Sequence, residues 1–261
     1  MSNNTIASKK SYQKLALPSG ASLAYSITNG SASNRLPGII FLPGFMSDMN
    51  GEKALSVENF ARERGQSCVR FDYFGHGNSS GDFADGHIGI WVKDVLSILD
   101  ELTEGPQLLV GSSMGGWLML LTAMYRPQRI AGLIGIAAAP DFTEDLLMKE
   151  LTSEQLQQVK DQGFTISPNK FGNDYLYSRA LFDEGRKYLV LRDKISVDCP
   201  VRLLHGLKDD VVPWQTALTI QEKLVSTDVK IILVKNGDHR LSSAPDLECL
   251  VDTLDTFLKG F

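Results

Sequence analysis

The sequence predicts an α/β protein built on an open, mostly parallel, doubly wound sheet of about eight strands. Short apolar runs, most of them rich in Val or Ile, alternate along the chain with stretches of helical period. Neither an internal repeat nor a linker rich in Pro, Gly and Ser divides the 261 residues, of which 43% are hydrophobic. One large α/β core with helices on both faces of the sheet therefore fits the whole chain.

Eight short runs along the chain are strand candidates. Two short runs, at residues 14–18 and 22–27, flank a turn that contains Gly20 and predict an N-terminal hairpin. Six apolar runs that are expected to pair mostly in parallel follow at 38–44, 67–73, 107–112, 130–139, 201–206 and 229–235. Helical period is seen at 51–64, 90–102, 115–125, 213–225 and 246–259. This alternation favours a parallel sheet covered on both sides.

One segment breaks the alternation. Residues 141–198 contain helical pieces and scattered aromatic residues but no clear strand. We therefore predict a single-domain protein in which residues 1–140 and 199–261 form the core and residues 141–198 form a helical cap inserted over one end of the sheet.

The composition excludes several kinds of function. A net charge of −5 without a block of Lys and Arg gives no support to nucleic-acid binding. Cys68, Cys199 and Cys249 are far apart, which argues against a disulfide framework and a zinc site. The glycine-containing stretch at residues 74–81 lacks the third glycine and the following helix of a dinucleotide site, and no phosphate-binding loop is present. We expect neither a cofactor nor a metal, and no stable membrane insertion, because no apolar run reaches about 18 residues.

The stretch LLVGSSMGGW, at residues 108–117, joins a predicted strand to a predicted helix. A Gly-x-Ser-x-Gly turn in this position is typical of a nucleophile elbow, in which the residues two before and two after the serine have no room for a side chain. Ser113 has Gly111 and Gly115 at these positions, whereas Ser112 has Val110 and Met114. We therefore predict Ser113 as the nucleophile; the alternative is that either serine only caps the helix.

A nucleophilic serine needs a histidine base, and in elbow proteins the chain order is serine, acid, histidine. His76 and His87 precede Ser113, and His205 ends a strand ahead of any suitable acid. His205 is therefore predicted to be structural. His239, in a loop after the strand at 229–235, is predicted to be the base.

The acid is expected at the end of the strand before the base. The stretch LLHGLKDDVVP offers Asp209 and Asp210 there, and the spacing Gly-x-x-Asp-x-x-Val-Pro selects Asp209. Asp141, after an earlier strand, is a second candidate, and Asp238 is interpreted as a turn residue. The loop at 41–51 contains Gly44, so we predict that the backbone N–H groups of Phe45 and Met114 form an oxyanion hole. An ordinary turn between strand and helix is the alternative for this loop.

These motifs resemble the α/β-hydrolase superfamily. Within it, the stretches GIIFLPGFMSDMNGEKAL, VRFDYFGHGNSSG, GPQLLVGSSMGGWLML and CPVRLLHGLKDDVVPW are similar to a group of acyl-protein thioesterases, over residues 36–258. The resemblance implies a triad of Ser113, Asp209 and His239. It also implies hydrolysis of S-palmitoyl thioesters on protein cysteines and of carboxylic esters, including acyl glucuronides. Animal members of the group are mitochondrial. The first residues contain Ser and Lys and no acidic residue, as an organelle presequence does, but strand-like alternation begins near Leu15 and leaves too little room for one, so we expect a cytoplasmic location.

The substrate is expected to be an acyl ester or thioester, on a small molecule or on an S-acylated protein. Leu147, Tyr175 and Trp214 are predicted to line its pocket. Apolar residues of the inserted segment are expected either to cover the acyl chain or only to pack the segment onto the sheet; they are Leu146, Leu147, Met148, Leu151, Phe164, Phe171, Tyr175, Tyr177 and Phe182. Two alternatives to a thioesterase remain: a small-molecule carboxylesterase, and a non-catalytic ligand-binding protein on the same fold.

Overall fold

The computed structural model describes residues 12–31, 33–169 and 174–261. In this part of the chain, eight strands form the main sheet and two form a small second sheet. The strands are β1 (Gln13–Ala16), β2 (Ser22–Thr28), β3 (Gly38–Leu42), β4 (Cys68–Phe71), β5 (Gln107–Ser112), β6 (Ile130–Ile136), β7 (Phe164–Ser167), β8 (Tyr175–Ser178), β9 (Val201–Gly206) and β10 (Val229–Val234).

The main sheet has the order β1-β2-β4-β3-β5-β6-β9-β10. The pairs β1/β2 and β2/β4 are antiparallel, and the other five pairs are parallel. The predicted hairpin is thus β1 and β2, which extend one edge of the parallel sheet. The predicted fold class is confirmed: the protein has a mostly parallel sheet of eight strands.

The α-helices of the described ranges are α1 (Glu52–Glu63), α2 (Ile88–Leu102), α3 (Met114–Tyr125), α4 (Met148–Glu150), α5 (Ser153–Gln162), α6 (Arg179–Gly185), α7 (Gln215–Lys223) and α8 (Ala244–Leu258), of which α4, α5 and α6 belong to the inserted segment. The other five begin and end within two residues of the predicted helical stretches. A turn of π-helix, Thr143–Leu147, precedes α4.

The sheet is buried on both faces. In β3, Ile40 and Leu42 pack into the layer that contains α2 and α3, whereas Ile39 and Phe41 pack into the layer that contains α1 and α8. Successive residues of a strand point to opposite faces, so a strand covered on both sides needs apolar residues at every position. This requirement explains the continuous apolar runs in the sequence.

The segment between β6 and β9 differs from the sequence prediction, because it holds a two-stranded antiparallel sheet of β7 and β8 as well as helices. Each of these strands has only four residues, too few for period-two alternation to stand out against the helical period on either side. Asp141 holds the two ends of the segment together: its buried carboxylate accepts hydrogen bonds from the N–H groups of Val190 (2.8 Å) and Leu191 (2.9 Å).

The apolar residues predicted for the inserted segment differ in how far they are buried. Leu147, Leu151, Tyr177 and Phe182 are buried in the same core layer as α2 and α3. Met148 and Phe164 are exposed, and Phe171 lies outside the described residues. No helix in the described ranges has the length and apolar character that crossing a membrane requires.

Candidate active site

The loops that follow four strands of the main sheet meet at one edge. Strands β3, β5, β9 and β10 are parallel to one another, so their carboxyl ends lie on the same side of the sheet. Ligand sites in open α/β sheets occur at this edge. The loops carry Phe45, Ser113, Asp209 and His239, in that order, and all but Asp209 line one cavity.

The turn at Ser113 has the geometry that the glycine spacing predicts. Ser113 has φ = 52° and ψ = −118°, a conformation that a residue other than glycine adopts only under strain. A Cβ on Gly111 would overlap the carbonyl group of Gly115, and one on Gly115 would overlap the carbonyl oxygen of Leu42. The tight turn is therefore centred on Ser113, whereas Ser112 remains the last residue of β5.

Because the overlap at Gly115 is with backbone, we expect Gly115→Ala to destabilise the fold. The loss in free energy of unfolding should be at least about 2 kcal/mol, the middle of the range for overpacked sites. Urea unfolding followed by circular dichroism measures it. Gly51→Ala is the matched control, because the nearest atom to a Cβ there is 3.7 Å away. A Gly115→Ala protein as stable as the control would contradict the packing at this turn.

His239 connects the serine to the acid. Its Nε2 is 3.1 Å from the Oγ of Ser113, and its Nδ1 is 2.9 Å from Oδ2 of Asp209. The carboxylate of Asp209 can only accept, so Nδ1 carries the ring hydrogen and Nε2 accepts a hydrogen bond from the serine hydroxyl. This is the tautomer that a general base requires. The structure thus brings together the three residues that the sequence predicts as a triad.

The carboxylate of Asp209 is fully buried and receives four hydrogen-bond contacts. Oδ1 accepts from the N–H groups of Val211 (2.9 Å) and Val212 (2.8 Å), and Oδ2 lies 2.9 Å from His239 Nδ1 and 3.1 Å from His205 Nε2. Burial on its own would raise the pKa of Asp209, but the hydrogen bonds from His205 and His239 outweigh it and hold the pKa below its ordinary value. Asp209 is therefore ionised at neutral pH.

His205 is the residue at this site whose contact with the acid the sequence did not reveal. Its Nε2 faces two acceptors, Oδ2 of Asp209 at 3.1 Å and the carbonyl oxygen of Val212 at 3.0 Å, so Nε2 carries the ring hydrogen. The side chain is almost completely buried. A signal exists in the spacing His-Gly-x-x-Asp, but the spacing alone says nothing about which way a strand-end side chain points.

The other acid candidates have different surroundings. Asp141 holds the inserted segment, as described above. Asp210 is exposed and lies at the wall of the cavity. Asp238 accepts hydrogen bonds from the N–H groups of Arg240 and Leu241, both at 3.0 Å, and so forms the turn expected of it.

The two histidines that precede Ser113 in the sequence also lie in other parts of the structure. His76 is buried among aromatic rings, with Nδ1 3.1 Å from the carbonyl oxygen of Phe74, and burial lowers its pKa to about 4. His87 lies just before α2. Neither lines the cavity that contains Ser113.

The loop after β3 lies against the elbow. A Cβ on Gly44 would be 3.4 Å from Cβ of Ser113, so this part of the loop adjoins the serine. The hydroxyl of Tyr73 donates a hydrogen bond to the carbonyl oxygen of Pro43 at 3.1 Å and holds the loop in place. Within residues 12–31, 33–169 and 174–261, nothing accepts a hydrogen bond from the N–H of Phe45. Met114 is the first residue of α3, where N–H groups lack helical partners.

The cavity has a volume of about 510 Å³. Leu147 and Tyr175, two of the predicted pocket residues, line it together with Leu146 and Tyr177. Trp214 does not line it: Trp214 directly precedes α7, beyond Val212 and Pro213, and the prediction for this residue is wrong. In the part of the chain that the structure describes, no group of His, Cys, Asp and Glu could hold a metal ion.

Comparison with known proteins agrees with this geometry. A sequence model of the alpha/beta hydrolase family matches residues 39–249. The chain belongs to this family. It is 43% identical to the mitochondrial palmitoyl-protein thioesterase ABHD10 of Bos taurus, over 96% of this chain and 81% of the bovine protein.

Two solved structures are similar to this alpha/beta hydrolase over nearly the whole of both chains. Alpha/beta hydrolase domain-containing protein 10 from mouse is 42% identical, with a TM-score of 0.87 over 96% of this chain and 99% of the mouse chain. A putative hydrolase from Agrobacterium vitis S4 is 34% identical, with a TM-score of 0.90 over 95% and 100%. The prediction of an enzyme is confirmed: this alpha/beta hydrolase is an ester or thioester hydrolase.

The predicted cytoplasmic location is wrong in the light of these relatives, since the bovine, human and orangutan proteins are all named as mitochondrial. The prediction depended on the strand-like alternation that begins near Leu15, interpreted as leaving too little room for a presequence. Targeting segments lie outside the folded core and are recognised by receptors, so the core residues that define an alpha/beta hydrolase carry no such information. Residues 1–11 are also outside the described part of the chain.

Proposed function

We propose that this alpha/beta hydrolase is a serine hydrolase that cleaves acyl thioesters and carboxylic esters through an acyl-enzyme on Ser113. The observation that carries the proposal is the continuous chain of hydrogen bonds from Ser113 through His239 to the buried Asp209, inside a cavity large enough for an acyl group.

In the first step, the Oγ of Ser113 attacks the acyl carbon while Nε2 of His239 takes the hydroxyl proton. Asp209 keeps the imidazole oriented and stabilises the positive charge that forms on it. The N–H groups of Phe45 and Met114 donate to the oxyanion of the tetrahedral intermediate. The imidazolium of His239 then gives its proton to the departing thiol or alcohol, and the acyl group remains as an ester of Ser113.

In the second step, water replaces the leaving group. His239 takes a proton from the water as its oxygen attacks the acyl-enzyme, and the same two N–H groups stabilise the second oxyanion. The bond to Ser113 breaks, the serine regains its proton from His239, and the carboxylic acid leaves.

The proposed substrates are acyl thioesters on protein cysteines, of the palmitoyl type. Support comes from the 43% identity to relatives that are named palmitoyl-protein thioesterases. The apolar side chains of Phe45, Phe142 and Leu147 in the cavity wall suit an acyl chain. Comparing p-nitrophenyl esters with acyl thioesters of increasing chain length tests this choice. Failure to cleave any thioester would refute the substrate while leaving the serine mechanism intact.

A fluorophosphonate probe tests the mechanism. We expect the wild-type protein to be labelled at Ser113 and the Ser113→Ala protein to be unlabelled. Ser112→Ala is the matched control, since Ser112 is the neighbouring hydroxyl and belongs to β5; this protein should still be labelled. Labelling that persists in Ser113→Ala would refute the proposed nucleophile.

His205 is expected to act as a positioning residue for Asp209. Removing its N–H in His205→Leu takes away one of the contacts that orient the carboxylate, so Asp209 holds the imidazole of His239 less firmly. We expect kcat to fall about tenfold with little change in KM. His205→Gln, which retains a donor, should restore kcat. A folded His205→Leu protein with the wild-type kcat would assign His205 a purely structural role.

A further inference from the structure

Two tyrosines of β8 line the cavity beside the oxyanion loop. The rings of Tyr177 and Phe45 stack with centroids 5.7 Å apart, and the rings of Tyr175 and Tyr177 stack at 5.8 Å. Tyr177 is 93% buried, since only 7% of its surface is exposed. Phe45 belongs to the loop that adjoins Ser113, and both tyrosines line the same cavity as Ser113.

The hydroxyl groups of both tyrosines have no hydrogen-bond partner among the residues that the structure describes. Across the described ranges, neither Oη makes a hydrogen bond, and neither is among the side-chain oxygens sealed off inside the protein. The hydroxyl of Tyr177 is therefore accessible, and Tyr177 is one of the residues that line the cavity. Burial raises the pKa of both phenols, so they remain neutral and can each donate a hydrogen bond as well as accept one.

We propose that Tyr175 and Tyr177 form a hydrogen-bonding subsite for a hydroxyl group carried by the acyl chain of the substrate. The proposal rests on the proposed function, because it assigns one wall of the cavity to the acyl group that Ser113 receives. The subsite adds a preference among acyl chains of the palmitoyl type: a chain that carries a hydroxyl group at the matching position should be cleaved faster than the plain alkyl chain.

The physical reason is what happens to the two phenol hydroxyls when the acyl chain of a substrate fills the cavity. An alkyl chain displaces water from the two hydroxyls and offers no partner, which leaves buried polar groups unsatisfied. A site with polar groups of this kind discriminates against a substrate that lacks the matching group. The carboxylate of Glu150 lines the same cavity and interacts electrostatically with Tyr177. It would accept a hydrogen bond from a hydroxyl and repel an anion, so a chain ending in a carboxylate is disfavoured.

The test uses p-nitrophenyl esters of straight-chain acids, the same acids with one hydroxyl at successive positions, and the same acids ending in a carboxylate. After correction for uncatalysed cleavage, we expect one hydroxyl position to raise kcat/KM by about fivefold or more over the unsubstituted ester. The carboxylate esters should show no such increase. A smaller ratio at every hydroxyl position would overturn the subsite.

Variants identify the groups responsible. In Tyr175→Phe/Tyr177→Phe the rings remain and the hydroxyls are lost, so the ratio should fall to about one. Tyr125→Phe is the matched control: this exposed tyrosine of α3 does not line the cavity, and its variant should keep the wild-type ratio. A preference that survives the double substitution would also overturn the subsite. Hydrolysis without any preference refutes the subsite alone, whereas absence of hydrolysis of every ester refutes the proposed function as well.

Discussion

His239→Ala is expected to lower kcat by about 10⁵-fold to 10⁶-fold, the scale on which serine hydrolases lose rate when their base is removed. The proposed mechanism uses Nε2 of His239 in every proton transfer, and this atom is 3.1 Å from the Oγ of Ser113. Without it, the serine remains a neutral hydroxyl at neutral pH. KM should change little, because the imidazole accepts the proton and does not hold the acyl chain. Steady-state hydrolysis of a p-nitrophenyl ester measures both constants.

A second histidine provides the control. His87→Gln changes a histidine that lies just before α2 and does not line the cavity, so kcat should remain near the wild-type value. Thermal unfolding of both variants checks that each is folded. A folded His239→Ala protein with more than about one hundredth of the wild-type kcat would refute His239 as the base.

Asp209→Asn is expected to lower kcat by about 10⁴-fold through the wrong tautomer of His239. The new amide oxygen still accepts from the N–H groups of Val211 and Val212, so the amide nitrogen takes the place of Oδ2 and faces His239. An N–H of that amide then donates to Nδ1, and the ring hydrogen moves to Nε2. In that form Nε2 cannot accept the proton of Ser113.

Asp210, the next residue, provides a matched control for Asp209→Asn. Asp210→Asn removes the same charge from the next residue, which is exposed, and we expect less than a tenfold change in kcat. Measuring both variants across the pH range separates loss of the base from a general loss of negative charge. Equal losses of activity in the two variants would contradict the assignment of the acid to Asp209.

Much of the candidate site could be predicted from the sequence because short-range constraints define it. Gly111 and Gly115 select Ser113, since a Cβ on either glycine would overlap backbone within or beside the same turn. Chain order selects His239 from four histidines. The spacing from Gly206 selects Asp209, whose Oδ1 accepts from two N–H groups only two and three residues further on.

Features that depend on how distant parts of the chain pack together were predicted less well from the sequence. Trp214 follows Asp209 closely in sequence, yet it directly precedes α7 and is not among the residues that line the cavity. The short strands β7 and β8 gave too little periodicity to be seen among helices. Localisation was also predicted wrongly, because the folded core does not encode it.

By itself, the sequence determined the eight-stranded sheet, the elbow and the residue types at each strand end, because strand burial on two faces and steric limits of a tight turn act on neighbouring residues. Only the tertiary structure decided that His205 contacts Asp209 and that Tyr175 and Tyr177 together line the cavity. Both facts depend on how loops and inserted strands pack across the edge of the sheet, and that packing is set by contacts between residues far apart in the chain.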